Sequence, residues 1–139
     1  MLTVARGRVE HFGWSNVELV QEDIATYEFP ESVSGVLAVG SFGYLANFEP
    51  VVERASHALV PGGRLVILDG KKPDRCPSWL FNMFVALFRP FRLNLDYFSH
   101  HPWETVPRFF EDTAFEERYG GLMYISSGTA PVAGRSEIS

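Results

Sequence analysis

The densest set of side chains able to move a proton lies in "YFSHHPWE", where Tyr97, His100, His101, Trp103 and Glu104 fall within eight positions. A histidine titrates near neutrality and can take a proton from a hydroxyl, so His100 and His101 are the candidate acid–base groups. The same letters also read as a helix entry, with Pro102 preset for the first helical position, and that role needs no chemistry. A second set is the acidic pair Glu22 and Asp23. A carboxylate only accepts hydrogen bonds, which suits a partner that only donates, or else the cap of a turn. A third is Gly40-Ser41-Phe42-Gly43-Tyr44, whose two glycines let backbone approach a ligand closely; the plain alternative is a connection carrying two aromatics. Lys71 and Lys72 beside Asp69 read as a solvated loop, or as a pair able to attract an anion.

The stretch "ALVPGGRLVILDG", Ala58 to Gly70, raises a phosphate loop through Gly62 and Gly63. In such loops the glycines follow a strand and open a helix, because the helix N-terminus must meet the phosphate. Here they follow a helix and open a strand. The order is reversed, and the expectation is a tight helix-to-strand turn.

The elements that would position these residues follow from periodicity. Leu2, Ala5, Val9 and Phe12 share a helix face, and Gly13 is placed to end that helix in the left-handed conformation. "NVELVQEDI" predicts a short strand from Val17 to Val20 or Gln21. Val36 to Val39 is a continuous apolar run, as in a parallel strand covered on both faces. Pro50 opens a helix with Val51, Ala55 and Leu59 on one side, and Leu65 to Leu68 form the next strand. This alternation of helix and strand is the pattern of a parallel α/β sheet. An apolar helix from Pro77 to about Phe88 comes next, then a short helix in "HPWETVPRFF" broken by Pro107. Two strand-like runs meeting at Gly120 and Gly121 predict an antiparallel hairpin. Residues 1–130 are thus expected to form one domain, and 131–139 a frayed tail.

The apolar helix poses its own question. Trp79, Leu80, Phe81, Met83, Phe84, Val85, Leu87 and Phe88 leave it almost without a polar face, and each side chain left in water forgoes about 1.5–3 kcal/mol. About 12 residues span roughly 18 Å, too short for a ~30 Å hydrocarbon core. Core, a lid over an apolar ligand, or a partner or membrane surface are the covers left open.

Charge and cysteine usage narrow the partners. Twelve Lys and Arg against 17 Asp and Glu give a net charge of -5, which disfavours a nucleic-acid surface. Cys76 is the sole cysteine, so neither an intrachain disulfide nor a cysteine-based metal site is expected, and no metal is assigned. The N-terminus lacks the apolar run of a secretory signal, and a cytoplasmic setting is the default.

Taken in order, "MLTVARGRV", "NVELVQEDI", "GVLAVGSFGYL", "ALVPGGRLVILD" and the closing hairpin resemble the middle and rear of the class I S-adenosylmethionine-dependent methyltransferases, especially the branch of ubiquinone and menaquinone methyltransferases. The resemblance implies a Rossmann-like, mostly parallel sheet ending in an antiparallel hairpin, S-adenosylmethionine as cofactor, and methyl transfer to an apolar small molecule. It implies that Asp23 accepts from the adenine amino group, that the Ile24 backbone meets the ring edge, and that Gly40, Ser41 and Phe42 flank the methionine end. Tyr44, Trp79, Phe84 and Trp103 would then border the acceptor. Glu22 departs from a glycine common at its position. The family's GxGxG loop and the ribose-binding acid would precede Met1, so an N-terminally truncated domain with weakened cofactor contacts is expected. Two other readings stay open: a non-catalytic methyltransferase-like module that uses its aromatic helix to dock a partner or pair with itself, oligomerisation being one way to cover bare sheet edges, and another nucleotide-dependent α/β enzyme such as a reductase, which would lack a phosphate loop.

Overall fold

The computed structural model describes residues 1–91 and 94–132. From residue 133 onward, the tail expected to fray lies outside the described residues. Helix α1 (Leu2–Phe12) ends on Gly13 at φ 65°, as its spacing predicts, yet buries none of its residues. Strand β1 (Val33–Val39) leads through a 3-10 turn (Phe42–Tyr44) to α2 (Glu49–Ala58), which has Pro50 in its first turn and Val51, Val52 and Ala55 buried. Strand β2 (Leu59–Gly70), the apolar helix α3 (Ser78–Leu87), the one-turn α4 (Val106–Phe109), and the strands β3 (Glu111–Arg118) and β4 (Met123–Thr129) complete the order.

The sheet runs β1-β2-β4-β3. β1 and β2 pair in parallel, and the hairpin then adds two antiparallel pairings, with the last strand wedged between β2 and β3. Leu65 and Ile67 of β2, Tyr124 of β4, Val51 and Val52 of α2, and Val106 and Phe110 form the core, joined by Phe42 and Leu45 from the turn after β1.

Four expectations are corrected. Val17 to Val20 forms no strand, because no described strand lies beside it to complete a ladder. β1 is covered on one face only: Val36 and Ala38 pack on the core, while Leu37 and Val39 are 70% and 58% exposed. The Pro61-Gly62-Gly63 segment is not a turn ahead of a strand but a bulge within β2. Val33 and Gly35 of β1 pair with Leu59 and Arg64 of β2, so two steps along one strand match five along the other. Gly62 takes φ 80° there, a conformation that disfavours any side chain. Finally, Pro107 opens α4 instead of breaking a helix, because its missing N–H costs nothing in a first turn.

Candidate functional site

β1 and β2 end together, with the Gly40 N–H donating to the Leu68 carbonyl at 2.9 Å. Just beyond them sits Asp69, an acid 2% exposed that closes the apolar run of β2. Its Oδ2 accepts the backbone N–H groups of Phe42 (2.9 Å) and Gly43 (3.2 Å). Its Oδ1 accepts Gly70 N–H at 2.8 Å and the Tyr97 hydroxyl. Four donors on one buried carboxylate meet the desolvation cost that an unpaired charge would incur. The Tyr97 ring abuts Gly43, where an added Cβ would fall 2.5 Å from it. Tyr44 meets the same ring edge-on, with centroids 4.7 Å apart. Burial first, then the hydrogen bond and charge of Asp69, raise the Tyr97 phenol well above its ordinary range, so it stays a donor. Asp69 was visible as an acid ending a strand. Three of its four partners lie 26 to 28 residues away, and nothing local marked them.

A cleft of about 430 Å³ opens on this hub, bordered by Gly43, Tyr44, Asn94, Tyr97 and His100. His100 packs against Phe48, and its Nδ1 is buried with no partner among the described residues. His101 turns elsewhere. It lies over Trp103 and within 3.5 Å of Glu104, lining a separate cleft of about 530 Å³ with Lys71 and Lys72. The neighbouring histidines are thus split between two clefts, and Pro102 opens a 3-10 turn as the plain reading of its position has it.

Lys71 corrects the solvated-loop reading. It is buried, paired with Asp74 (3.2 Å) and Glu117, and 6.0 Å from the Trp103 ring. Burial pulls its pKa down, but hydrogen bonds and charge from Glu117 and Asp74 outweigh that and hold it above 10.5. Lys72 instead bonds Ser78 Oγ at 3.0 Å.

Asp23 occupies an exposed turn, its Oδ1 accepting Ala25 N–H at 2.9 Å and its carbonyl accepting Thr26 and Tyr27. Its Oδ2 has no partner among the described residues. Ile24 packs against the core, and its carbonyl accepts Arg54 of α2 at 3.1 Å, strapping the loop down. A slot of about 170 Å³ lies among Val20, Glu22, Ile24 and Tyr27. Of the glycine-loop residues, Ser41 is half-buried and Gly40 exposed, whereas the Phe42 ring is spent in the core, leaving Phe42 only backbone to offer.

The expected acceptor residues are not brought together. Tyr44 faces the hub cleft, Trp103 lines the second cleft, Phe84 lines an apolar groove along α3, and Trp79 is 69% exposed. Only Phe81 and Val85 of α3 are buried, so the core covers far less of this helix than its composition suggests. Among the described residues no three His, Cys, Asp or Glu side chains converge as a metal-binding group, and no helix is long and apolar enough to cross a membrane.

Residues 1–67, from α1 to the middle of β2, match the family described as "Methyltransferase domain". No curated protein matches the chain. Among solved structures, Haemonchus contortus phosphoethanolamine N-methyltransferase 2 is similar with a TM-score of 0.74 at 16% identity, covering 94% of this chain and 41% of that one. The S-adenosylmethionine-dependent methyltransferase SibL gives 0.69 at 22% identity, covering 94% and 40%. The [4+2]-cyclase SpnF gives 0.70 at 15%, covering 94% and 62%. The fold is therefore the Rossmann-like methyltransferase sheet, and the chain spans between 40% and 62% of the length of these three structures.

Proposed function

We propose that this chain is part of an S-adenosylmethionine-dependent methyltransferase acting on an apolar small molecule. The observation that carries the reading is the glycine loop fixed by Asp69 at the carboxyl ends of two parallel strands, the place where open α/β sheets bind ligands. The family match over residues 1–67 supports it.

The residues present fit part of the cofactor. The free Oδ2 of Asp23, flanked by slot-lining Glu22 and Ile24, suits a purine amino edge, and the side chains of Val20, Ile24 and Tyr27 suit its face. The exposed Gly40, at φ 59° with nothing within 4 Å of an added Cβ, leaves room for the methionine end beside Ser41. When bound, the cofactor supplies an electrophilic methyl group on a sulfonium. Asp69 keeps Phe42 and Gly43 in register, and Tyr44 and Tyr97 line the hub cleft where an apolar acceptor would sit. His100, on the same cleft, is better placed than His101 to take a proton from that acceptor. Alignment and exclusion of water are the whole task, since no covalent nucleophile is needed.

Ligand-observed NMR with millimolar S-adenosylmethionine tests this. Saturation transfer to the adenine protons is expected to fall several-fold in Asp23→Asn; no transfer from the unsubstituted chain, or transfer indifferent to Asp23, would sink the reading. The same fold carries a cyclase, so a positive binding result needs a second test, the appearance of methylated product.

The open apolar edge at β1 favours a second reading, a binding module that pairs through that edge. A stable dimer in sedimentation velocity with no cofactor binding would support it over methyl transfer.

A further inference from the structure

Helix α3 carries a second site that shares no residue with the hub cleft. Leu80, Met83, Phe84 and Leu87 recur at three- and four-residue steps and form one wall of a groove of about 690 Å³. Tyr119 and Leu122 of the hairpin turn complete the lining together with Pro73, Arg75 and Cys76 from the loop before α3. The volume lies within the range of small-molecule sites. Inward from this wall, Phe81 packs edge-on against Phe98 at 4.9 Å, so the groove floor is fixed by core contacts.

Arg75 supplies the polarity. Its neighbours Lys71 and Lys72 are engaged, with Asp74 and Glu117 in one case and Ser78 in the other. Among the described residues no carboxylate pairs with Arg75. An apolar trough whose lining includes one guanidinium, unpaired among the described residues, complements a molecule of opposite design. We infer that the groove binds an anionic amphiphile, a hydrocarbon chain laid along α3 with its carboxylate or similar acid group at Arg75. The guanidinium offers a planar fork to such an acid, while the wall shields the chain from water. This site stands independently of methyl transfer.

Cys76, the sole cysteine, lines the groove and reports its occupancy. The experiment follows the rate at which a maleimide modifies Cys76 in the full chain, titrated with decanoate or with decanol. Decanoate is expected to slow modification with an apparent Kd roughly fivefold tighter than decanol, the scale of one exposed ion pair. Arg75→Gln should remove that gap, and Leu87→Glu, at a position 73% exposed where folding tolerates change, should weaken both ligands. Equal protection by the two ligands in the unsubstituted chain overturns the inference, as does protection indifferent to Leu87→Glu. No protection at all also overturns it. In that case, a dimer dispersed by Leu87→Glu would assign the groove to a second copy, and cosedimentation with phosphatidylglycerol vesicles would assign it to a membrane surface.

Discussion

The two edges of the sheet are built on opposite plans. β3 ends the sheet with Glu111, Asp112, Glu116, Glu117 and Arg118, nearly all its residues exposed, and a bulge where Glu111 and Ala114 face Thr129 and Ser127. Charge and a bulge are the usual means of stopping further pairing. β1 ends the other side with Val-Ser-Gly-Val-Leu-Ala-Val, no charge, and Leu37 and Val39 in the open. One edge is finished against neighbours; the other has the composition of an interior strand. The helices repeat the contrast, since α2 buries three residues against the sheet while α1 buries none. The difference teaches that burial in this molecule is concentrated on the middle strands β2 and β4 and the face that α2 covers.

Substitutions can break that comparison. The largest effect is expected within the finished region: Ile67→Ala should cost about 2–5 kcal/mol in urea unfolding, whereas Leu37→Ala on the adjoining strand should stay within about 0.5 kcal/mol. A cost above about 2 kcal/mol for Leu37→Ala would mean that the outer face of β1 is covered in solution. Gly43→Ala drives a methyl group into the Tyr97 ring and should cost about 1–3 kcal/mol, read as a fall in melting temperature.

Alkaline pH should act through the finished side. Lys71, Tyr97 and Tyr124 all have raised values, Tyr124 through burial and then the charges of Asp69 and Tyr97. The unfolded chain loses these protons near 10.5 for the lysine and 10.0 for the phenols, whereas the folded chain retains them longer. Their contribution is therefore fully present below about pH 10 and is lost as pH rises through the folded values. Urea midpoints should hold level to that point and fall above it. The smallest effect on stability, within about 0.5 kcal/mol, belongs to Leu37→Lys, which should nevertheless suppress any concentration-dependent association in sedimentation velocity. The equivalent change at Phe115 on β3 should leave association as it was.

What was legible in the sequence follows the range of the forces involved. α1, α2 and α3 could be read because a helix closes its hydrogen bonds within four residues and carries its start and stop signals locally; only in α2 does the apolar period also mark a buried face. The hairpin could be read because Gly120 and Gly121 mark its turn. The run at Val17 carries strand composition, but a strand exists only through a neighbour, and none is at hand among the described residues. The same holds for Pro61-Gly62-Gly63, whose letters say turn while pairing with β1 and Ala130 makes them a bulge. In the site, Asp23 in its turn and the loop at Gly40 lie where local signals put them. Asp69 and Lys71 do not reveal themselves, since one is defined by Phe42, Gly43 and Tyr97 and the other by Glu117, 46 residues on. Adjacent letters can also mislead, as His100 and His101 do by entering different clefts.

The place of β4 governs when this sheet can exist at all. It is the last strand in sequence among the described residues yet lies between β2 and β3, paired from Met123 to Thr129 and followed by Ala130 bonding both Gly62 and Gly63. During synthesis, β2 would leave the ribosome with one flank bare and wait some sixty residues for its second neighbour. Closure of so long a loop costs entropy before its contacts repay it, which leaves the nascent chain open to misassociation until β4 arrives.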